Sequence, residues 1–130
     1  MNIKDITFKN IHPSQFYLSK AKLEAVLFWF NPHDLSNFAP LPLKRFGDKI
    51  ILTDGHTRAY AAYLAGLDRV PFVWDVDQLN WELYAKCVAA CQKENVFTIQ
   101  DLSNRIISSK DYATKWIKWC EALQESFTNE

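Results

Sequence analysis

The chain has no net charge, no long uncharged apolar run and no paired-cysteine motif, and each absence removes a class of function. Fifteen basic and fifteen acidic side chains cancel over 130 residues. The two halves cancel as well: residues 1 to 79 hold nine Lys and Arg against eight Asp and Glu, and residues 80 to 130 hold six against seven. DNA affinity draws largely on counterion release from phosphates by clustered basic side chains, so DNA is not expected as a partner. No uncharged run approaches the roughly 20 apolar residues that a membrane-spanning helix needs, so no membrane association is expected. The opening MNIKDITFKN alternates charged and apolar residues and lacks the basic-then-apolar order of a secretory leader, which gives a cytoplasmic expectation. Cys87, Cys91 and Cys120 are odd in number, and two of them lie one helical turn apart within an apolar pattern. They read as reduced, buried thiols rather than as a disulfide framework, and no Cys-x-x-Cys knuckle marks a metal site.

What remains is ample material for a core. The chain is 48% hydrophobic and 15% aromatic, enough for one compact α+β domain with a small mixed sheet and helices packed on it. DITFKNI alternates as a first strand would, and HPSQFY reads as its exit loop. Ser19 is placed to cap a helix in which Leu23, Val26, Leu27 and Phe30 form an apolar stripe, broken by NPHD. APLPLKRFGDKIILTD predicts two strands joined at Gly47-Asp48, a pair suited to the positive φ of a tight hairpin. Gly66 marks the end of the next helix, and VPFVWD a further short strand. From there on the pattern is helical: NWELYAKCVAACQKE, then Thr98 and Asp101 as a capping box for IQDLSNRII, then Ser108 and Asp111 for a last helix. Tyr112, Trp116, Trp119, Cys120 and Leu123 recur along that last helix at core-facing spacing. Residues 1 to 78 therefore read as the core unit and residues 79 to 130 as a helical extension packed on the same domain.

Between the second hairpin strand and the alanine-rich helix stands Asp54-Gly55-His56-Thr57-Arg58. A helix start exposes N–H groups without intrahelical partners and carries partial positive charge, so it accepts an anion. Gly55 permits a sharp turn and close approach. Arg58 offers a planar fork matched to two phosphate oxygens, Thr57 a hydroxyl and His56 ring N–H donors. Gly55, His56, Thr57 and Arg58 are thus the candidate phosphate-binding residues. Asp54 has two readings: a helix cap, or a carboxylate that holds a divalent cation or a substrate hydroxyl in phosphoryl transfer. Against both stands a plain β-to-α turn with Arg58 solvated or paired to an acid.

ILTDGHTRAYAAYLAGLDRVPFVWD resembles the phosphate-binding segment of the ParB/sulfiredoxin superfamily, in which a strand ends in a glycine- and arginine-bearing motif and an alanine-rich helix follows. IHPSQFYLS, its helix and PLPLKRFGDKIIL are similar to that family's order of elements, so the likeness covers about residues 3 to 75. It implies a ParB/sulfiredoxin-like fold that binds a nucleotide such as ATP, ADP or CTP, with Mg²⁺ as companion, or another phosphorylated small molecule. Several departures separate the branches. The catalytic cysteine of sulfiredoxins falls at His56, and the second CTP-binding motif of chromosome-partitioning proteins has only KENVF near its place. The nearest motif match is to free-serine kinases, in which the aspartate matching Asp54 takes part in catalysis. Their glutamate base falls near Ser14 or Gln15, neither of which is acidic, and Glu24 is the one acid in the helix that follows.

Other candidates carry less. His12, His33 and Asp34 read as loop residues, and Trp74 as core in preference to a stacking platform. Residues 95 to 125 have helix-turn-helix proportions, but the last helix presents only Lys110, Lys115 and Lys118 to a phosphate backbone. Its helices are better suited to packing on the sheet, to a protein partner or to a homodimer. The competing functions are a phosphate-binding module, a phosphotransferase using Asp54, and an accessory domain with neither activity.

Overall fold

The computed structural model describes residues 1–128 of the chain. It is a mixed α/β fold with a four-stranded sheet, a two-stranded sheet and a helical C-terminal part. The larger sheet runs β1 (Ile11–His12), β4 (Lys49–Leu52), β3 (Leu41–Phe46), β5 (Phe72–Trp74). β3 and β4 form the expected antiparallel hairpin, with Gly47 at φ 61° in its turn, whereas β1 joins β4 and β5 joins β3 in parallel. Leu43 pairs with Leu52 on one side and with Trp74 on the other, so β4 and β5 end at the same level of the sheet.

The first strand is shorter than DITFKNI predicts. Ile3–Asp5 and Phe8–Asn10 are 3-10 turns, and only Ile11–His12 pair as strand. The Asn10 side chain takes the Thr7 backbone N–H at 2.9 Å, a local bond that competes with a sheet ladder. The alternation survives as burial only at Ile6 and Phe8; the next core residue is Ile11, three positions on.

Ser19 caps α1 (Lys20–Trp29) as expected, its side chain accepting the Lys22 N–H. Of the α1 stripe, Leu23 is buried and Val26 and Phe30 are half-buried, while Leu27 turns outward at 46% exposure. α2 (His56–Leu64) follows β4, lies against α1 and the 3-10 turn Ile99–Asn104, and ends at Gly66 with φ 85°. Ala59, Ala61 and Ala62 are wholly buried there, because short side chains let neighbouring backbones approach. α3 (Trp81–Lys93) starts at an Asn80 cap.

IQDLSNRII differs from the helix expected of it. Asp101 does cap the segment, taking the N–H groups of Phe97 and Thr98, but the turn is 3-10 and gives way to β6 (Ile106–Ile107). β6 pairs in parallel with β2 (Leu18–Ser19), an arrangement favoured by β-branched Ile106 and Ile107 and absent from the sequence reading. Residues 95 to 125 therefore contain no helix-turn-helix. The last helix comprises α4 (Ser109–Tyr112), a π-helical turn (Ala113–Ile117) and α5 (Lys118–Thr128), opened by the expected Ser108 cap. Tyr112 and Trp116 are buried and Trp119, Cys120 and Leu123 half-buried, as their spacing predicts. Trp116 and Trp119 both meet the Phe16 ring edge-on, at 5.0 and 4.9 Å. One core cluster runs from Ile6 through α2 to Cys91, Ile99, Leu102 and Trp116, so the C-terminal helices complete the core of the first part.

Candidate functional site

The turn after β4 is shaped by Gly55. Its φ of 79° is left-handed, and a Cβ there would stand 2.6 Å from Leu41 Cδ2 and 2.7 Å from Arg58 Nη2. Only glycine fits such a backbone without strain. Gly55, rather than Asp54, is the N-cap of α2, and it supplies no capping side chain. Among the described residues no acceptor takes the N–H groups of His56, Thr57 or Arg58, so the first turn of α2 presents three open donors.

Asp54 is therefore not the helix cap that one of its two readings made it. It is exposed, and its Oδ1 accepts the N–H of its own neighbour Gly55 at 2.8 Å. It stands where three hollows meet. One, of about 430 Å³, lies before the helix start between α1 and α2. A second, of about 150 Å³, reaches down to α3 and α5, and a third, of about 400 Å³, opens beside Trp74, Asp75 and Asp77. Beside it, Thr53 Oγ1 donates to Asp75 Oδ2 at 2.7 Å, tying the end of β4 to the end of β5.

His56 takes a different role from the donor that its place in the motif suggests. Its side chain is 4% exposed, and Nε2 accepts the Ser14 backbone N–H at 3.0 Å. In the neutral ring that accepting nitrogen leaves the proton on Nδ1. Burial lowers its pKa from 6.5 to about 4, outweighing the nearby Asp54 carboxylate, which acts in the opposite direction. His56 is thus a neutral strut that holds the β1 exit loop against α2. Ser14 is fixed a second time, its hydroxyl donating to Leu52 O at 2.7 Å.

Arg58 is half-buried and is not paired with an acid among the described residues. Nη1 donates to Ala39 O at 2.6 Å, and the guanidinium carbon lies 5.5 Å from the centre of the Phe38 ring. One of its five N–H donors is engaged in that bond, and Arg58 lines the 430 Å³ hollow together with Gly55 and Thr57. Lys22 of α1 lines the same hollow, with Nζ 4.9 Å from the centre of the Tyr112 ring. Sequence reasoning missed Lys22, whose only signal is its place one turn beyond the Ser19 cap. Gln15, one of the two positions where the resemblance puts a glutamate base, donates through its amide to Tyr112 Oη at 3.0 Å and to Tyr17 O at 2.8 Å.

The place expected for a glutamate base is therefore filled by a hydrogen-bonded amide. Glu24 is exposed and does not line the hollow. Trp74 is half-buried beneath the Arg45 guanidinium, 4.5 Å from its ring centre. His33 is exposed, while His12 belongs to β1 instead of a loop. The cysteines are free thiols, and burial pushes Cys87 up to about 11, Cys120 up to about 12 and Cys91 higher still. Thiols so shifted stay protonated at neutral pH and are poor nucleophiles.

Among the described residues no group of three or more His, Cys, Asp or Glu side chains is placed to hold a metal ion, and no helix is long and apolar enough to cross a membrane. No protein-family model, no curated protein and no solved structure matches the chain.

Proposed function

We propose that the chain is a ParB/sulfiredoxin-like domain that binds a nucleotide or another phosphorylated small molecule, with the phosphate held where α2 begins. The observation that carries it is the 430 Å³ hollow, lined by Lys22 and by Gly55 to Arg58 at the start of α2, where the N–H groups of His56, Thr57 and Arg58 have no acceptor among the described residues. Two cations and a helix start converging on a space of ligand size favour an anion, and the planar guanidinium favours phosphate or carboxylate. Asp54 at the rim supplies a carboxylate for Mg²⁺, which takes one or two carboxylates and completes its shell with phosphate oxygens and water. A dedicated cluster of protein ligands is not needed for an ion that arrives with its nucleotide.

Binding without chemistry is favoured over phosphotransfer by what occupies the base position. The amide of Gln15 cannot take a proton from an acceptor hydroxyl, and Glu24 lies outside the hollow. For phosphotransfer, Asp54 is the one carboxylate among the described residues that lines this hollow.

The experiment is a thermal-shift series with ATP, ADP, CTP, GTP and pyrophosphate, with and without Mg²⁺. A ligand that binds only the folded chain raises its melting temperature. At least one compound is expected to do so, with Arg58→Ala abolishing the shift. Absence of any shift at millimolar ligand, or an unchanged shift in Arg58→Ala, rejects the proposal. No DNA affinity is expected. If the chain is instead an accessory domain, DNA binding that falls steeply with salt is the outcome that shows it.

A further inference from the structure

β5 ends the larger sheet, with β3 on one side and, among the described residues, no strand on the other. The Leu41 N–H donates to Pro71 O at 2.9 Å and the Asp75 N–H to Leu43 O at 2.7 Å, at the two ends of the β3–β5 pairing. Residues that bond a given neighbour alternate along a strand, so Pro71, Val73 and Asp75 turn their backbone groups towards β3 while Phe72 and Trp74 turn theirs away. Among the described residues nothing pairs with the backbone N–H or C=O of Phe72 or Trp74. A row of open groups like this is a template for another strand. Proline often blocks such an edge, but Pro71 lacks its N–H on the β3 side and leaves the open side intact. Phe72 and Trp74 share the core face with their register partners Leu41 and Leu43, whereas Val73 lies on the opposite face and is 47% exposed. The N-terminal segment packs on β5 from the core face, where Phe8 meets the Phe72 ring edge-on at 5.9 Å.

We infer that β5 pairs with β5 of a second copy of this chain, antiparallel about a two-fold axis at Val73, so that the two larger sheets become one. This register sets Phe72 opposite Trp74 of the other copy. Each has an open N–H and an open C=O, so the two exchange both bonds of a hydrogen-bonded pair, and the axis supplies that pair twice. Val73 meets its own copy as a non-hydrogen-bonded pair, the kind with closer side chains, which covers its exposed surface. Further out, positions 69 and 77 fall opposite each other. They hold Arg69 and Asp77, both exposed and neither in an ion pair among the described residues. The charges therefore match at both ends of the pairing. A parallel arrangement would instead set Asp75 and Asp77 beside their own copies, like charge on like. This match of residues 69 to 77 to themselves selects a second copy as the occupant of the edge. The contact uses the sheet edge rather than the C-terminal helices and is independent of the phosphate reading.

The test is sedimentation velocity of the full chain without ligand, in a concentration series up to about 1 mM, where even weak association shows. The chain is expected to pass from monomer to dimer, at higher concentration when salt is raised, because the charge pairs are exposed. Val73→Lys, which brings two ammonium groups to the axis, should leave a monomer, and Val73→Thr should still associate. Arg69→Asp and Asp77→Arg should each weaken the dimer about tenfold, since attraction becomes repulsion at both ends. An equimolar mixture of those two variants should associate as wild type does, because opposite charges again face each other. A monomer at every concentration overturns the inference, as does a dimer that persists in Val73→Lys or gains nothing from the mixing. A melting curve for each variant checks its fold. Should Val73→Lys fail to fold, the charge exchange decides alone.

Discussion

The Ser14 backbone N–H and the His56 Nε2 are 3.0 Å apart across 42 residues of sequence, in a buried part of the molecule. The bond exists only while the imidazole is neutral, because a doubly protonated ring has no acceptor.

Stability is therefore expected to depend on pH through His56. Its folded pKa is depressed from 6.5 to about 4, so between those values the unfolded chain binds the proton and the folded chain does not. The contribution is fully present above pH 6.5 and declines as pH falls towards 4, by about 3 kcal/mol in all. Urea midpoints at pH 7, 6, 5 and 4 measure it. His56→Gln, whose amide oxygen can still accept from Ser14, should flatten the profile over this range. A profile of equal slope in that variant would show that other groups are responsible.

At Gly55 the expected effect is steric as well as conformational. Gly55→Ala forces a left-handed φ on a residue with a Cβ and presses that carbon on Leu41 and Arg58. A loss of about 2 kcal/mol or more is expected from denaturant unfolding, together with loss of any phosphate-dependent thermal shift. Retained binding in a destabilised variant would uncouple the turn from the ligand.

Asp54→Asn separates cation holding from phosphate holding. An amide oxygen can keep the 2.8 Å bond to the Gly55 N–H, so the turn should persist and melting should change little. Nucleotide affinity is expected to drop when Mg²⁺ is present and to hold steady in EDTA. An equal loss under both conditions would remove Asp54 from the Mg²⁺ role, and any phosphotransfer activity of the wild type should vanish in this variant.

Residues 1 to 78 alone are expected not to fold. They would lose Cys91, Val96, Ile99, Leu102, Tyr112 and Trp116 from their core. At roughly 1.5 to 3 kcal/mol per large apolar side chain, that loss rivals the whole stability of an ordinary domain. Circular dichroism of the fragment should show neither native helix content nor a cooperative melt, and a cooperative melt would establish two independent units.

Most of the elements around the site are legible in the sequence because local chemistry fixes them. Ser19 and Ser108 announce helix starts, Gly47 and Gly66 announce a turn and a helix end, and each does so through its own backbone or side chain. The errors arise where a local bond outcompetes periodicity, as Asn10 does with the Thr7 N–H, or where a partner lies far along the chain, as Leu18 does for Ile106. The motif residues themselves were identifiable, but their roles were not. Whether His56 donates to a ligand or accepts from Ser14 depends on a loop 42 residues away, and Lys22 joins the site only because α1 packs beside α2.

The pairing of β2 with β6 carries a cost in time. Arg105 Nε donates to Phe16 O across 89 residues of sequence, and the Leu18 N–H donates to Arg105 O. A chain emerging from a ribosome must therefore hold its second strand unmatched until Ile106 and Ile107 have been made. Contacts so distant slow folding and leave apolar surface open to other chains meanwhile. Folding yield in a cell should therefore respond to translation speed and chaperone supply.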